Sequence, residues 1–330
     1  MSARVVIRGA GSIGRRHAEV FHALGARVEI WPVRPRGDSD VDSTTGTPYL
    51  SDSTGAAACA QADLVVIATD TARHVADALD VLDSGTRKVL IEKPVAPTGV
   101  ATLPLRAHQQ SGQVFVAAPL RAHECFLLVR DLLPRLGAPV GAQVVCQSWL
   151  PDWRPERDYR QSYSARLSEG GVLRDLVHEI DYALVLFGAP DASAAALNYQ
   201  GPLDIEADQA ADLLWSTPSG TVALRLDFIT RPARRALVVT GPDGRLEWDL
   251  TTATVRHREA EGGTSEWGCP SDLDRNVVMA RQARAALDLS PGAPHETLLA
   301  SGAPATLAQA CLDIEICDDA RSADLGKGSL

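Results

Sequence analysis

The stretch Val5-Val6-Ile7-Arg8-Gly9-Ala10-Gly11-Ser12-Ile13-Gly14 decides how the fold is read. A β-branched run, Val5–Ile7, reaches Gly9. An amphipathic pattern then runs from Ile13 to about Leu24 and is stopped by Gly25, which predicts strand, turn and helix in succession. The glycines keep the spacing G-x-G-x-x-G. In such a turn Gly9 makes the sharp bend, Gly11 admits a pyrophosphate against the backbone, and Gly14 lets helix and strand pack closely. The opening N–H groups of the helix, around Ser12 and Ile13, together with its dipole, favour an anion. The expected ligand is a dinucleotide.

Outward from this turn, strand and helix signals alternate. Val28–Trp31, Leu64–Ala68, Val89–Ile91 and Gln113–Ala117 read as strands, and Ala72–Leu82 as a helix. Leu64–Ala68 is continuously apolar, as in a strand covered on both faces. The pattern predicts a parallel, doubly wound sheet. The segment Pro35–Gly55 is polar and turn-rich, and its pattern assigns it no element.

The chain changes character after about residue 120. A helix near Glu124–Leu136 precedes strands at Val140–Leu150, Ala194–Gln200, Ala210–Ser216, Val222–Phe228, Ala236–Thr240 and Arg245–Leu250. Turn chemistry at Pro218-Ser219-Gly220 and Gly241-Pro242-Asp243-Gly244 links neighbouring strands. One long helix, Gly171–Phe187, interrupts them and is closed by Gly188-Ala189-Pro190. Helices near Asp274–Leu287 and Ala305–Ala320 follow. The expected fold class is α/β: an N-terminal Rossmann dinucleotide-binding domain, residues 1–120, and a C-terminal α+β domain with a largely antiparallel open sheet, residues 121–330.

Composition agrees with two domains and excludes other classes. At about 150 residues per domain, 330 residues make about two. Hydrophobic residues are 45% and charged residues 22%, which is ordinary for a globular chain. Asp and Glu number 42 against 32 Lys and Arg, a net charge of −10, which disfavours nucleic acid and anionic lipid as partners. The six cysteines form no C-x-x-C pair, so neither a disulfide framework nor a metal site is expected. No apolar run is long enough to cross a membrane. The chain enters its first strand without the n- and h-regions of a signal peptide, which predicts a cytoplasmic protein.

Three further places carry candidate chemistry. An NAD site usually offers an acid to the ribose about 20 positions after the first glycine. Glu29 has that spacing but sits inside the second strand. The strand end, Pro32-Val33-Arg34-Pro35-Arg36, has two arginines and no acid. Arginine suits a 2′-phosphate, with Arg15 and Arg16 as further cations, so NAD(P) is expected with a slight lean to NADP. Glu92-Lys93-Pro94 ends a buried-type strand, where doubly wound sheets place ligands. In Gly170 to Asp181, helical periodicity puts Gly171, Asp175, His178 and Tyr182 on one stripe, with Glu179 at its edge, opposite Leu173, Leu176, Val177 and Ile180. Asp175 and His178 at i and i+3 can meet, and a carboxylate orients an imidazole that acts as a base. A solvated polar face is the alternative reading of the same stripe. Trp149 to Arg160 is rich in aromatics and arginines; Trp153 and Arg154 are candidate substrate contacts, and a salt-bridged loop is the alternative. Arg121 follows the last strand of the first domain and is a further substrate candidate. His22, His108, His257 and His295 have no partner pattern and read as surface residues.

Taken together and in this order, Gly-x-Gly-x-x-Gly-Arg-x-His (Gly9 to His17), Glu92-Lys93-Pro94 and Gly-Gly-x-x-x-Asp-x-x-His-x-x-Asp (Gly170 to Asp181) resemble the glucose–fructose oxidoreductase / inositol dehydrogenase (Gfo/Idh/MocA) family. Thr69-Asp70-Thr71-x-x-His74 resembles another of its segments, where proline is commoner than Asp70. The resemblance implies reversible oxidation of a sugar or cyclitol hydroxyl. It implies that Lys93 lies near the nicotinamide, that Asp175 and His178 are the catalytic pair, and that Thr69, His74 and Glu92 help to hold the cofactor. Many members space the pair by four residues rather than three; the shorter form resembles a branch of surface-polysaccharide and amino-sugar pathways. The expected substrate is a sugar, nucleotide-linked and amino sugars included. The expected assembly is a homodimer or homotetramer. Two alternatives stay open: a lyase or glycosidase that uses NAD for transient oxidation, and a non-catalytic ligand sensor on the same scaffold.

Overall fold

The computed structural model describes residues 2–34, 40–290, 292 and 302–323. The chain divides into two compact units, Met1–His123 with Asp274–Leu312, and Glu124–Leu273 with Asp313–Leu330.

The first unit is built on a six-stranded sheet. Strands β1 (Arg4–Arg8), β2 (Arg27–Trp31), β3 (Leu64–Ile67), β4 (Val89–Ile91) and β5 (Val114–Val116) run parallel, and β14 (Ala305–Thr306) adds an antiparallel edge beside β5. The order is β14-β5-β4-β3-β1-β2. Val5, Val6, Ile7 and all of β3 are sealed from solvent, as their unbroken apolar runs require when helices cover both faces. Burying each such side chain contributes about 1.5–3 kcal/mol.

Helix Arg275–Asp288 overturns a single boundary near residue 120. Its Met279, Ala283 and Ala286 pack into the same core as Val5, Phe21, Ile30 and Phe115. Lys88 donates to the carbonyls of Ala286 and Leu289 at 3.0 and 2.9 Å, a cation at the carboxyl end of this helix. The crossing at His123 is close to the expected one, but residues 274–312 return to the first unit because their apolar stripe has its partner there. The unassigned polar segment holds a second helix, Asp52–Ala60, and a buried carboxylate. Asp42 accepts from the Tyr49 hydroxyl at 2.6 Å, Arg15 Nε at 2.7 Å and the amides of Thr44 and Thr45 at 3.0 Å.

The second unit carries an eight-stranded sheet, order β13-β12-β11-β10-β6-β9-β8-β7. The strands are β6 (Val140–Trp149), β7 (Ala192–Asn198), β8 (Ala210–Thr217), β9 (Gly220–Asp227), β10 (Ile229–Gly241), β11 (Gly244–Asp249), β12 (Thr254–Glu259) and β13 (Thr264–Gly268). All pairings are antiparallel except β6 with β9. β12 and β13 were not expected from sequence, because Thr254–Glu259 turns only Val255 and His257 inward. His257 is therefore buried rather than a surface residue, and His295 lies outside the described residues. Among the described residues no helix is long and apolar enough to cross a membrane.

The long helix expected over Gly171–Phe187 is two: Val172–Asp175 and Val177–Phe187, broken at Leu176 (φ −97°, ψ 26°). The solvated polar face, the alternative reading of this stripe, is absent as well. Gly171, Asp175 and Tyr182 are buried along with the apolar side, and His178 alone between residues 171 and 183 is half-buried.

Candidate functional site

In the first unit the glycine turn has the geometry its spacing suggests. Gly9 has φ +117°, and a Cβ there would lie 2.5 Å from the Ala68 carbonyl oxygen. A Cβ on Gly14 would lie 2.2 Å from the Gly9 oxygen, so the close helix–strand approach is real. Gly11 differs: it is the N-cap of helix Ser12–Ala23, its φ is an ordinary −74°, and a Cβ there would meet nothing within 4 Å. No side chain caps this helix and its first turn holds no acid, so its leading N–H groups and positive dipole end are left for an outside anion. The cradle fits a pyrophosphate, with Gly11, Ser12 and Ile13 as the backbone that would meet it.

The surrounding cations and acids are divided between this opening and the protein's own bonds. Arg15 is held by Asp42, and Arg16 Nη1 donates to Asn276 Oδ1 at 2.9 Å. Glu29, the acid with ribose-like spacing, is buried against Arg4 at 2.7 Å. Arg34 is exposed just past β2. Arg36 lies outside the described residues.

Past β4, Glu92 accepts from His17 Nε2 at 2.6 Å, so the histidine of the first motif meets the glutamate of the second. Burial opposes ionisation of Glu92, but His17 and the Lys93 charge hold its carboxyl below the usual value. His74 is 1% exposed, with Nδ1 2.9 Å from the Pro94 oxygen and Nε2 3.0 Å from the Thr69 oxygen. It braces the ends of β3 and β4 against each other, and burial lowers its pKa. Lys93 and Thr69 are half-buried at these strand ends. Arg121, expected to reach substrate, is instead buried, with Nη1 2.8 Å from Gln309 Oε1.

In the second unit the Gly170-Gly171 pair is required by crowding. A Cβ on Gly170 would lie 2.2 Å from the Tyr163 oxygen, and one on Gly171 (φ +87°) would lie 2.4 Å from Asp208 Oδ1. Asp208 accepts from the Leu173 amide at 3.0 Å and from Arg321, and Arg321 also donates to the Gly170 oxygen at 2.6 Å. This clasp fixes the turn that carries Asp175, which is 4% exposed. Burial, helped by the charge of Asp175, pushes the Asp208 carboxyl up to about 6. Tyr163 lies near enough to Asp175 to feel its charge; partial burial and that carboxylate raise its hydroxyl above the ordinary value. After His178, Glu179 is wholly buried and accepts from Arg235 Nε at 2.6 Å, tying helix Val177–Phe187 to β10. Motif spacing led to Asp175 and His178. Asp208, Tyr163 and Arg235 were missed, and only the glycine doublet hinted that something presses on this turn.

The loop after β6 lines a cavity of about 390 Å³, with Trp153, Arg154, Arg157, Tyr159 and Tyr163 on its walls. The Trp153 indole donates to Ser148 Oγ at 3.0 Å, and its ring meets Phe228 edge-on at 5.3 Å. Elsewhere Cys125, Cys269 and Asp272 gather within 4.8 Å of one another; both oxygens of Asp272 already accept the Glu124 and Cys125 amides.

Comparison with known proteins adds three findings. Residues 3–118 match the model of an oxidoreductase family with an NAD-binding Rossmann fold, and residues 129–247 match the GFO/IDH/MocA C-terminal domain. No curated protein matches the chain. Solved structures share its fold at low identity. UDP-N-acetylglucosamine 3-dehydrogenase GnnA from Acidithiobacillus ferrooxidans has 18% identity over 99% of both chains and a TM-score of 0.77. Levoglucosan dehydrogenase in complex with NADH and L-sorbose has 16% identity over 98% of both chains and a TM-score of 0.79. Biliverdin reductase from Synechocystis sp. PCC 6803, in complex with biliverdin and NADP+, has 20% identity, covers 98% of this chain and 99% of its own, and has a TM-score of 0.72.

Proposed function

Because the chain belongs to the Gfo/Idh/MocA oxidoreductase family and is an NAD(P)-dependent enzyme, we propose that it interconverts a hydroxyl and a keto carbon of a sugar. The observation that carries the cofactor half is the uncapped helix behind Gly11, with open space where a pyrophosphate would lie. The substrate half is supported by two of the solved relatives, a nucleotide-sugar dehydrogenase and an anhydrosugar dehydrogenase. When bound, the cofactor supplies hydride acceptance at its nicotinamide.

In this reading the chain's own residues handle the proton. His178, next to the Asp175 turn and half-buried, takes the hydroxyl proton, and Asp175 supports the charged imidazole. Lys93 donates to the oxygen as negative charge develops on it. The Asp208–Arg321 clasp and the Glu179–Arg235 pair hold the two halves of the broken helix. Trp153 and Arg154 contact the substrate. Thr69, Glu92 and His74 shape the strand ends beside the cofactor.

A sugar and nucleotide-sugar panel followed by NAD(P)H absorbance tests the reading. Turnover with stoichiometric NAD(P)H change supports it; turnover with no net change turns it toward transient oxidation, and inertness across the panel toward a ligand sensor. NADP(H) is the favoured cofactor in this proposal, supported by Arg34 exposed past β2 and by Glu29 being engaged with Arg4. Tighter binding of NADH than of NADPH in fluorescence titration would reverse that preference. The assembly is taken as a homodimer or homotetramer.

A further inference from the structure

We propose that the cavity behind β6 is an anion subsite, in which Arg154 and Arg157 hold a phosphate or carboxylate carried by the sugar substrate. This rests on the sugar-oxidoreductase reading and narrows it: the preferred substrate is an anionic sugar derivative rather than a neutral one.

Several charges of the arginine-rich loop are already engaged. In the arginine-rich loop, Arg160 is held by Asp158 through Nε and Nη2 at 2.8 and 2.9 Å. Asp152 is taken by Arg231 at 2.8 Å, and Arg166 lies 3.7 Å from Glu169. Among the described residues no carboxylate pairs with Arg154 or Arg157. The loop is thus salt-bridged in part: two guanidinium groups outside those pairs share the wall of one cavity with Asp158, whose charge is taken by Arg160. The Arg157 amide donates to the Arg154 oxygen at 3.0 Å, so a single turn carries both.

A guanidinium is a planar fork that matches phosphate or carboxylate with two parallel bonds, and two of them on one turn can grip opposite edges of the group. The cavity volume lies within the range of small-ligand pockets. Its aromatic wall is fixed in advance, since Trp153 is pinned by Ser148 and Phe228, and such faces suit a sugar ring. Tyr163 lines the same cavity and lies within reach of the Asp175 charge. A substrate whose anion sits on the arginines therefore extends along a wall that ends near Asp175, the carboxylate proposed to support the His178 imidazole. In a chain of net charge −10, a local cationic pair is also what lets an anion approach.

Calorimetric titration of the full chain saturated with NAD(P)H, which occupies the glycine cradle, tests the subsite, with UDP and inorganic pyrophosphate for the phosphate source, glucuronate for the carboxylate source, and glucose as the neutral control. One of the two anionic arms is expected to bind, more weakly as salt rises, with glucose silent. Arg154→Gln and Arg157→Gln should each weaken that binding about tenfold or more, the loss typical of a hydrogen bond to a charged group. NAD(P)H affinity and the melting temperature should stay as in the wild type, which separates a lost contact from a lost fold. In turnover, both variants should raise KM for the anionic sugar. No binding by either arm, or binding undiminished in the double variant, overturns the subsite. Anion binding lost in the variants of a protein that turns over no sugar would keep the subsite and remove the oxidoreductase reading. Turnover of neutral sugars with KM unmoved by both substitutions would do the reverse.

Discussion

Lys93 stands half-buried just past the last residue of β4, beside a glutamate already engaged by His17. In the proposed mechanism its ammonium donates to the oxygen that becomes negative. Lys93→Ala is expected to lower kcat about a hundredfold or more, as removal of one donor to a developing oxyanion does, while leaving NAD(P)H titration unchanged. Unchanged turnover would remove Lys93 from the proton-handling set. Asp42 shows a different kind of commitment. Burial opposes its charge, yet hydrogen bonds from Tyr49 and Arg15 hold its carboxyl well below the usual carboxylate range. A depressed pKa adds stability that is complete above the ordinary value near 3.9 and is lost as pH falls from there through the depressed value. Asp42→Asn should therefore destabilise by about 2–3 kcal/mol at pH 7. The gap from wild type should shrink below about pH 4. Urea unfolding at both pH values reads the difference, and a gap that stays constant would show that the charge contributes nothing.

The glycine turn separates two kinds of requirement within one element. Gly14 is demanded by the protein itself, since a methyl group there would strike the backbone of Gly9; Gly11 is not, since a methyl there meets only open space. Gly14→Ala should lower the melting temperature of the apoprotein. Gly11→Ala should leave that temperature unchanged and weaken NAD(P)H binding about tenfold or more, because the added carbon stands where the pyrophosphate approaches the backbone. Equal melting of both variants would contradict the packing argument, and full affinity in Gly11→Ala the binding one. This turn was legible because strand, bend and helix lie within twenty residues and each step is local. The broken helix was not. Leu176 is a good helix former without the signature of a glycine or proline, and the break comes with tertiary contacts at Asp208, Arg321 and Arg235. Asp175 and His178 were found through their motif, whereas the residues that position them come from β10, the chain before β8 and the final helix. No spacing rule reaches that far. The same limit hid β12 and β13, whose few apolar positions follow strand pairing more than propensity.

At the scale of the whole molecule, one face of the eight-stranded sheet looks outward with Val145, Ala194, Ala196, Leu214 and Ala223 on neighbouring strands, and Leu214 is 56% exposed. Its charges are largely settled internally, Arg225 with Asp212. A flat apolar face of this kind supports the proposed pairing of identical chains, a self-complementary contact. Leu214→Glu should shift sedimentation velocity toward a smaller species at micromolar protein; a wild type that already sediments as one chain would remove the proposal. The two units also differ in how they are cut from the chain. The first draws Met279, Ala283 and Ala286 into its core, and it gains its last edge strand at Ala305–Thr306. On the ribosome, then, the dinucleotide-binding half cannot be completed when its own first 123 residues have emerged. It must wait, with part of its apolar surface uncovered, through the synthesis of nearly the whole second unit. A fragment ending at His123 should accordingly be recovered as aggregate or as a chaperone client, although it carries every glycine of the cofactor turn.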